Sequence, residues 1–259
     1  MKQLIPLLIA SALLAGQAHA DSGALPLRVI LVGDSTIATR SGYGDALCAR
    51  FTPETSCVNL ARGGRSSGSF RAEGRWQEVQ TLLKDGAAYR ASYVLVQFGH
   101  NDQPGKAERS TDLVTEFPAN MARYASEVKA LGGIPVLVTP LTRRTFKGPN
   151  LKDDLAPWAA AIRRVALEQQ VLLLDLNRIS AAAVQKMGQE DADTLAMAPP
   201  PPATPPVVSG AAVEPQGAAK SQFDRTHVGS KGAALFSGMV VRELVRLAPP
   251  MAASVRDLK

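Results

Sequence analysis

Five short, nearly unbroken apolar runs divide the chain, and between them apolar positions recur three and four apart. The runs are Leu27-Arg28-Val29-Ile30-Leu31-Val32 ending at Gly33, Val58-Asn59-Leu60-Ala61, Tyr93 to Phe98 ending at Gly99, Ile134 to Val138 ending at Thr139-Pro140, and Val171 to Leu176. Runs without strict alternation predict strands covered on both faces. The spacing in between predicts helices over roughly Tyr43–Phe51, Arg75–Lys84, Asp112–Leu131, Asp154–Gln170, Ile179–Gly188 and Ser230–Leu247. A strand–helix alternation of this kind predicts an α/β fold, one parallel sheet sandwiched by helices. Ligands of such sheets bind beyond the carboxyl ends of the strands, where every polar cluster discussed below falls.

Two segments break the pattern. Lys2, the apolar stretch Leu4 to Ala15 and the small-residue site Ala18-His19-Ala20 read as a secretory signal peptide over residues 1–20, with residues 21–259 as a single domain. The apolar stretch is shorter than the roughly 20 residues a membrane helix needs, and no later segment reaches that length, so no membrane span is expected after signal cleavage. The other segment is a Pro-rich insertion at about 197–219, where Pro199 to Ala219 holds seven prolines and almost no large apolar residue. It cannot supply a core and is expected to be a flexible loop within the domain, either a tolerated surface insertion or a flap.

Composition adds little to the fold but narrows the partners. With 46% hydrophobic and 20% charged residues in 259, the chain is of ordinary globular make-up. The net charge of +6 is spread along the sequence rather than blocked, so no nucleic-acid partner is expected. Cys48 and Cys57 are the only cysteines. In an oxidising compartment a disulfide between them is expected, with two buried thiols as the alternative. Two cysteines and two histidines beyond the signal make no structural zinc set, so neither metal nor cofactor is expected.

Scarce histidine directs attention to chemistry. Beyond the signal only His100 and His227 remain, and an imidazole general base must be one of them. In Asp224-Arg225-Thr226-His227 the carboxylate can reach the Nδ1 side of the ring and leave Nε2 free to accept a proton. Gly33-Asp34-Ser35-Thr36 follows the first strand and puts a serine hydroxyl on a tight turn; an N-cap serine is the plainer reading of that tetrapeptide alone. Gly64-Arg65-Ser66-Ser67-Gly68 matches the G-x-S-x-G nucleophile elbow, but its preceding strand is too short and no helix follows at once, which counts against Ser66. Gly63-Gly64 reads better as a loop whose backbone approaches a substrate closely, with the Gly64 N–H as an oxyanion donor. In Gly99-His100-Asn101-Asp102 the Asn101 side chain offers a neutral N–H donor at a strand end; an Asx turn is the alternative.

Taken in order, these four blocks resemble the SGNH hydrolase (GDSL-like) superfamily, which carries Ser, Gly, Asn and His in this sequence. Thr36 after the serine, Gly64-Arg65-Ser66 with downstream Glu73-Gly74-Arg75-Trp76, and His100 in the third block are most similar to the rhamnogalacturonan acetylesterase-like branch. The resemblance covers roughly residues 28–247 and departs from the pattern at the Pro-rich insertion. It implies a three-layer, flavodoxin-like α/β/α fold with strand order 2-1-3-4-5. It implies a catalytic triad of Ser35, His227 and Asp224, and an oxyanion hole from the N–H groups of Ser35 and Gly64 and the Asn101 amide. It also implies a serine acetylesterase acting on an acetylated carbohydrate, a pectin-type or other polysaccharide, and the signal peptide adds the expectation that it is secreted, periplasmic or extracellular. The alternatives are a lipase, lysophospholipase or thioesterase, and an acyltransferase or binding module on the same scaffold. Tyr43, Trp76 and Phe146 are candidates for stacking on sugar rings, with core packing the plainer reading. Arg65, Arg143 and Arg144 are candidates for a basic cleft.

Overall fold

The computed structural model describes residues 25–199 and 223–256. The signal peptide expected at 1–20 and most of the Pro-rich insertion lie outside them. Five parallel strands, β1 (Leu27–Gly33), β2 (Ser56–Asn59), β3 (Ala91–Gln97), β4 (Ile134–Val138) and β5 (Leu172–Leu174), form one sheet in the order β2-β1-β3-β4-β5. The helices are α1 (Gly44–Cys48), α2 (Ser69–Ala72), α3 (Trp76–Lys84), α4 (Glu116–Ala130), α5 (Ala156–Glu168), α6 (Leu176–Asp193) and α7 (Ser230–Leu247). Among the described residues no helix is long and apolar enough to cross a membrane.

Alternation along the strands splits the interior into two cores. Val29, Leu31, Tyr93, Leu95, Val136 and Val138 face α7 (Phe236, Val240, Leu244) and α6 (Leu176, Val184). Ile30, Val32, Val94, Val96 and Leu137 face α3 (Val79, Leu83), α4 (Phe117, Met121) and α5 (Ile162, Val165). Both faces are apolar because both are covered, which is why the runs lack polar alternation.

Several boundaries differ from the sequence reading, each for a side-chain reason. The last strand stops at Leu174 because Asp175 turns away from the ladder: its carboxylate accepts the Thr139 hydroxyl at 3.0 Å and a fork from Arg163 at 3.0 and 2.9 Å. The next helix begins at Leu176, and the segment expected over Ile179–Gly188 runs to Asp193 across a kink at Gly188, where φ is 76°. The second strand ends at Asn59 rather than Ala61, because the Asn59 side chain bonds the Ile37 carbonyl, the Asp45 carboxylate and the Ala61 N–H. Residues 112–115 form a turn before α4, with Asp112 Oδ1 accepting from the Val114 and Thr115 amides. A small hairpin, Phe146–Lys147 against Asn150–Leu151, was not expected. Cys48 and Cys57 are bonded, joining the end of α1 to β2.

Candidate active site

Ser35 sits where β1 leaves the sheet. Gly33 is required there by a close approach: a Cβ at this position would stand 2.6 Å from the Gln97 carbonyl oxygen of β3. Asp34 organises the turn, its Oδ1 accepting the Thr36 N–H at 2.9 Å and the Thr36 hydroxyl at 2.7 Å, while its own carbonyl accepts the Ile37 and Ala38 amides. The serine is left half-buried, pointing its hydroxyl at the strand-end crevice.

The late loop meets it across the crevice. His227 Nε2 lies 2.8 Å from Ser35 Oγ, and His227 Nδ1 lies 2.7 Å from Asp224 Oδ2. Asp224 Oδ1 meanwhile accepts the Thr226 and His227 amides at 2.8 and 3.0 Å, an Asx turn that fixes the carboxylate against its own loop. Burial pulls the Asp224 carboxyl up, but these amides and the imidazole outweigh it and hold the group below its ordinary range, so it stays ionised beside the ring. A hydroxyl, an imidazole and a carboxylate thus stand in line, the arrangement needed to take a proton from an attacking oxygen.

Asn101 lies in the same cleft and donates one side-chain N–H to the Arg65 carbonyl at 3.0 Å, which fixes the plane of its amide. Gly63 is beside the serine, a Cβ there falling 3.7 Å from Ser35 Cβ. Gly64 has φ of 79°, a left-handed conformation that suits glycine, and its carbonyl accepts from Arg109. The structure therefore brings the predicted serine, histidine, aspartate, glycine and asparagine to one sheet edge. Ser66 is excluded from it: it is fully buried and hydrogen-bonded to Ser69.

The aromatic and basic candidates fare differently. Tyr43 is buried and donates to Gln97 at 2.8 Å, Trp76 is buried with its indole N–H on Glu127, and Phe146 is half-buried against the core, so all three follow the packing reading. Phe223 lines the cleft instead. Arg65 is engaged by Glu73 at 2.9 Å and by the Gly63 carbonyl. Arg143 lines the cleft while paired with Asp154 at 2.7 Å. Arg144 is fully buried and faces backbone rather than a substrate.

Three side chains have surroundings that the sequence did not reveal. Lys106 lines the cleft, its ammonium pushed down by burial and by Arg143 and Arg109 nearby. His100 also borders the cleft but is 2% exposed, its Nδ1 3.4 Å from Asp34 Oδ2. Burial would raise the Asp34 carboxyl, yet His100 and the Thr36 donors together lower it. Asp102 is buried beneath the glycine loop, accepting the Ser67 amide, the Ser67 hydroxyl at 2.6 Å and the Thr111 hydroxyl at 2.9 Å. Its burial outweighs those bonds and pushes its pKa to about 6. No short motif marks these roles, since each depends on a neighbour distant in sequence.

The chain is similar to known proteins in sequence and fold. The model of the GDSL-like lipase/acylhydrolase family matches residues 31–206. The chain is 27% identical over 234 residues to the probable rhamnogalacturonan acetylesterase YesY of Bacillus subtilis (strain 168), spanning 88% of this chain and 96% of that one. To the rhamnogalacturonan acetylesterase RhgT of the same organism it is 29% identical, spanning 87% and 93%. Among solved structures, the YxiM protein of Bacillus subtilis superposes with a TM-score of 0.66 at 22% identity, over 89% of this chain and 58% of that one. A catalytic mutant of Axe2, an acetylxylan esterase from Geobacillus stearothermophilus, superposes with a TM-score of 0.56 at 18% identity, over 84% and 93%. With its family model matched across most of the sheet and its strand-end serine in line with an Asp–His pair, the chain belongs to the GDSL-like lipase/acylhydrolase family and is a carboxylic ester hydrolase similar to rhamnogalacturonan acetylesterases.

Proposed function

We propose that the protein removes O-acetyl groups from a carbohydrate, with Ser35 as nucleophile. The observation that carries this is the 2.8 Å contact between His227 Nε2 and Ser35 Oγ, with Asp224 behind the ring. Ser35 Oγ attacks the acetyl carbonyl as His227 Nε2 takes its proton, and Asp224 stabilises the imidazolium that forms. The negative charge developing on the carbonyl oxygen is met by the Ser35 and Gly64 amides and by the Asn101 side chain, neutral donors set before the reaction begins. His227 returns the proton to the departing sugar oxygen. Water then gives a proton to the same imidazole and attacks the acetyl-serine, and as the acyl–oxygen bond breaks the imidazole passes that proton to Ser35 Oγ, freeing acetic acid, which ionises to acetate.

The relatives support the carbohydrate class. Two are rhamnogalacturonan acetylesterases by name, and solved variants of the acetylxylan esterase Axe2 described as catalytic mutants replace a serine, an aspartate and a histidine. The cleft, of about 460 Å³, supports an acidic polymer of pectin type, because Lys106, Arg143 and Arg225 line it against the single carboxylate of Asp224. Arg143 and Arg225 are neutralised by Asp154 and Asp193, so Lys106 carries the attraction; it makes no ion pair among the described residues. Export supports the same setting, on the signal-like first twenty residues and on the Cys48–Cys57 bond, which suits an oxidising compartment.

The test is acetate release from acetylated pectins, xylans and bacterial glycans, run beside a chain-length series of nitrophenyl esters and a Ser35→Ala control. Release from pectin, with acetyl preferred among the nitrophenyl esters and no turnover by Ser35→Ala, is the expected result. Preference for long acyl chains with no acetate from any glycan would overturn it in favour of a lipase or thioesterase.

A further inference from the structure

The loop that carries the base is not held by the sheet. Asp224, Arg225, Thr226 and His227 lie between the insertion and α7, and their backbone carbonyls have no strand to pair with. All four are nevertheless satisfied, and by one residue. The Arg144 guanidinium donates from Nη2 to the Asp224 carbonyl at 3.2 Å and the His227 carbonyl at 2.7 Å, and from Nη1 to the Thr226 carbonyl at 3.4 Å. The Arg144 backbone N–H donates to the remaining carbonyl, that of Arg225, at 2.9 Å. The donors of the same loop point the other way: the Thr226 and His227 amides bond the Asp224 carboxylate. One buried cation therefore gathers the acceptors and one carboxylate gathers the donors.

Placing a guanidinium there is expensive. Arg144 is 0% exposed, and among the described residues no carboxylate hydrogen-bonds it. Burial lowers its pKa to about 10, partly offset by the nearby Asp224 and Asp193 charges. A charge kept in that position without a bonded counter-ion needs a geometric reason, and the planar fork provides one. Its two nitrogens, fixed in one plane, hold three carbonyls at set separations, which a flexible point charge cannot do. The platform beneath is itself braced, since Gln189 donates to the Arg144 carbonyl and to Asp193, and Asp193 takes a two-pronged bond from Arg225.

We infer that Arg144 is the positioning residue of the catalytic base: by gathering the carbonyls of residues 224, 226 and 227 it sets the height and tilt of the His227 ring over Ser35. This rests on the proposed Ser35–His227 chemistry but not on the identity of the sugar. A shift of about 1 Å between reacting groups costs on the order of a hundredfold in rate, so the effect belongs in kcat. KM should hardly move, because the side chain is screened from the cleft.

The experiment is a cycle of Arg144→Met, Arg144→Lys and His227→Ala, read by 4-nitrophenyl acetate kinetics and by the rate at which a fluorophosphonate probe labels Ser35. Probe labelling needs a working Ser–His pair but no carbohydrate, so failure of the carbohydrate reading leaves this test intact. Arg144→Met should lower kcat and the labelling rate by about a hundredfold with KM within about threefold, and Arg144→Lys should recover about tenfold of that. In the His227→Ala background Arg144→Met should cost no more than about twofold, because its action passes through the missing ring. An undiminished rate in folded Arg144→Met, or an equal fractional loss with and without His227, overturns the inference. Should Arg144→Met fail to fold, the same cycle is run with Arg144→Lys, for which a loss persisting in the His227→Ala background is the overturning result.

Discussion

Two aspartate–histidine pairs flank Ser35, and they differ in almost everything but residue type. Asp224 and His227 touch at 2.7 Å, are about half and one-third exposed, and aim the second ring nitrogen at the serine. Asp34 and His100 stand 3.4 Å apart with 0% and 3% side-chain exposure, and neither His100 nitrogen makes a hydrogen bond among the described residues. Only the first pair is placed for the proposed proton transfer, since its ring opens on the cleft and stands between the carboxylate and Ser35. The second joins the residue before Ser35 to the residue before Asn101, and acts as a fixed part of the wall. A carboxylate beside an imidazole is therefore not a catalytic feature until exposure and direction make it one.

The sharpest way to break this comparison is to remove each ring. His227→Ala should lower kcat by about 10⁴-fold or more with Tm almost unchanged, measured as acetate release. His100→Gln should lower kcat by less than about tenfold while losing on the order of 1–3 kcal/mol of stability, each worth roughly 2–4 °C of Tm. Equal losses of kcat in the two variants would erase the distinction. A smaller effect concerns Asp102, two residues beyond His100. Its pKa of about 6 exceeds that of an unfolded aspartate, so the folded state binds the extra proton and stability falls as pH rises from about 4 to about 6. Asp34 and Asp224, held low, act oppositely and lose stability only as pH drops below the ordinary carboxylate range. Asp102→Asn should remove the first component, on the order of 3 kcal/mol at most. Urea midpoints at pH 4 and pH 7 measure it: a pH difference unchanged by the substitution would show that Asp102 is not the source.

What could be read in advance followed from local chemistry. Strands buried on both faces write themselves as apolar runs, so all five strands were legible, as were the serine, asparagine and histidine turns at their ends; the strand order followed only from the resemblance to the SGNH hydrolases. Strand ends were misplaced where a polar side chain competes with the ladder, as Asn59 and Asp175 do. Arg144 read as a candidate cleft cation because an arginine is normally solvent-accessible. Only the folded chain brings the carbonyls of residues 224–227 to it, some eighty positions away. Tyr43 and Trp76 offered a polar tip and a flat ring, suited equally to sugar and to core; their partners Gln97 and Glu127 decided for the core.

Gly33 has a wider consequence. With two apolar faces, β1 and β3 could slide by one residue and still bury hydrocarbon on both sides, so burial alone is a poor judge of alignment. The spot above the Gln97 oxygen has room for a hydrogen atom and nothing larger. Neither Val32 nor Asp34 fits it, and the two strands lock like a key cut with a single notch. The missing methyl group thereby fixes the phase of one strand against the next, and through it the gap that an ester must enter.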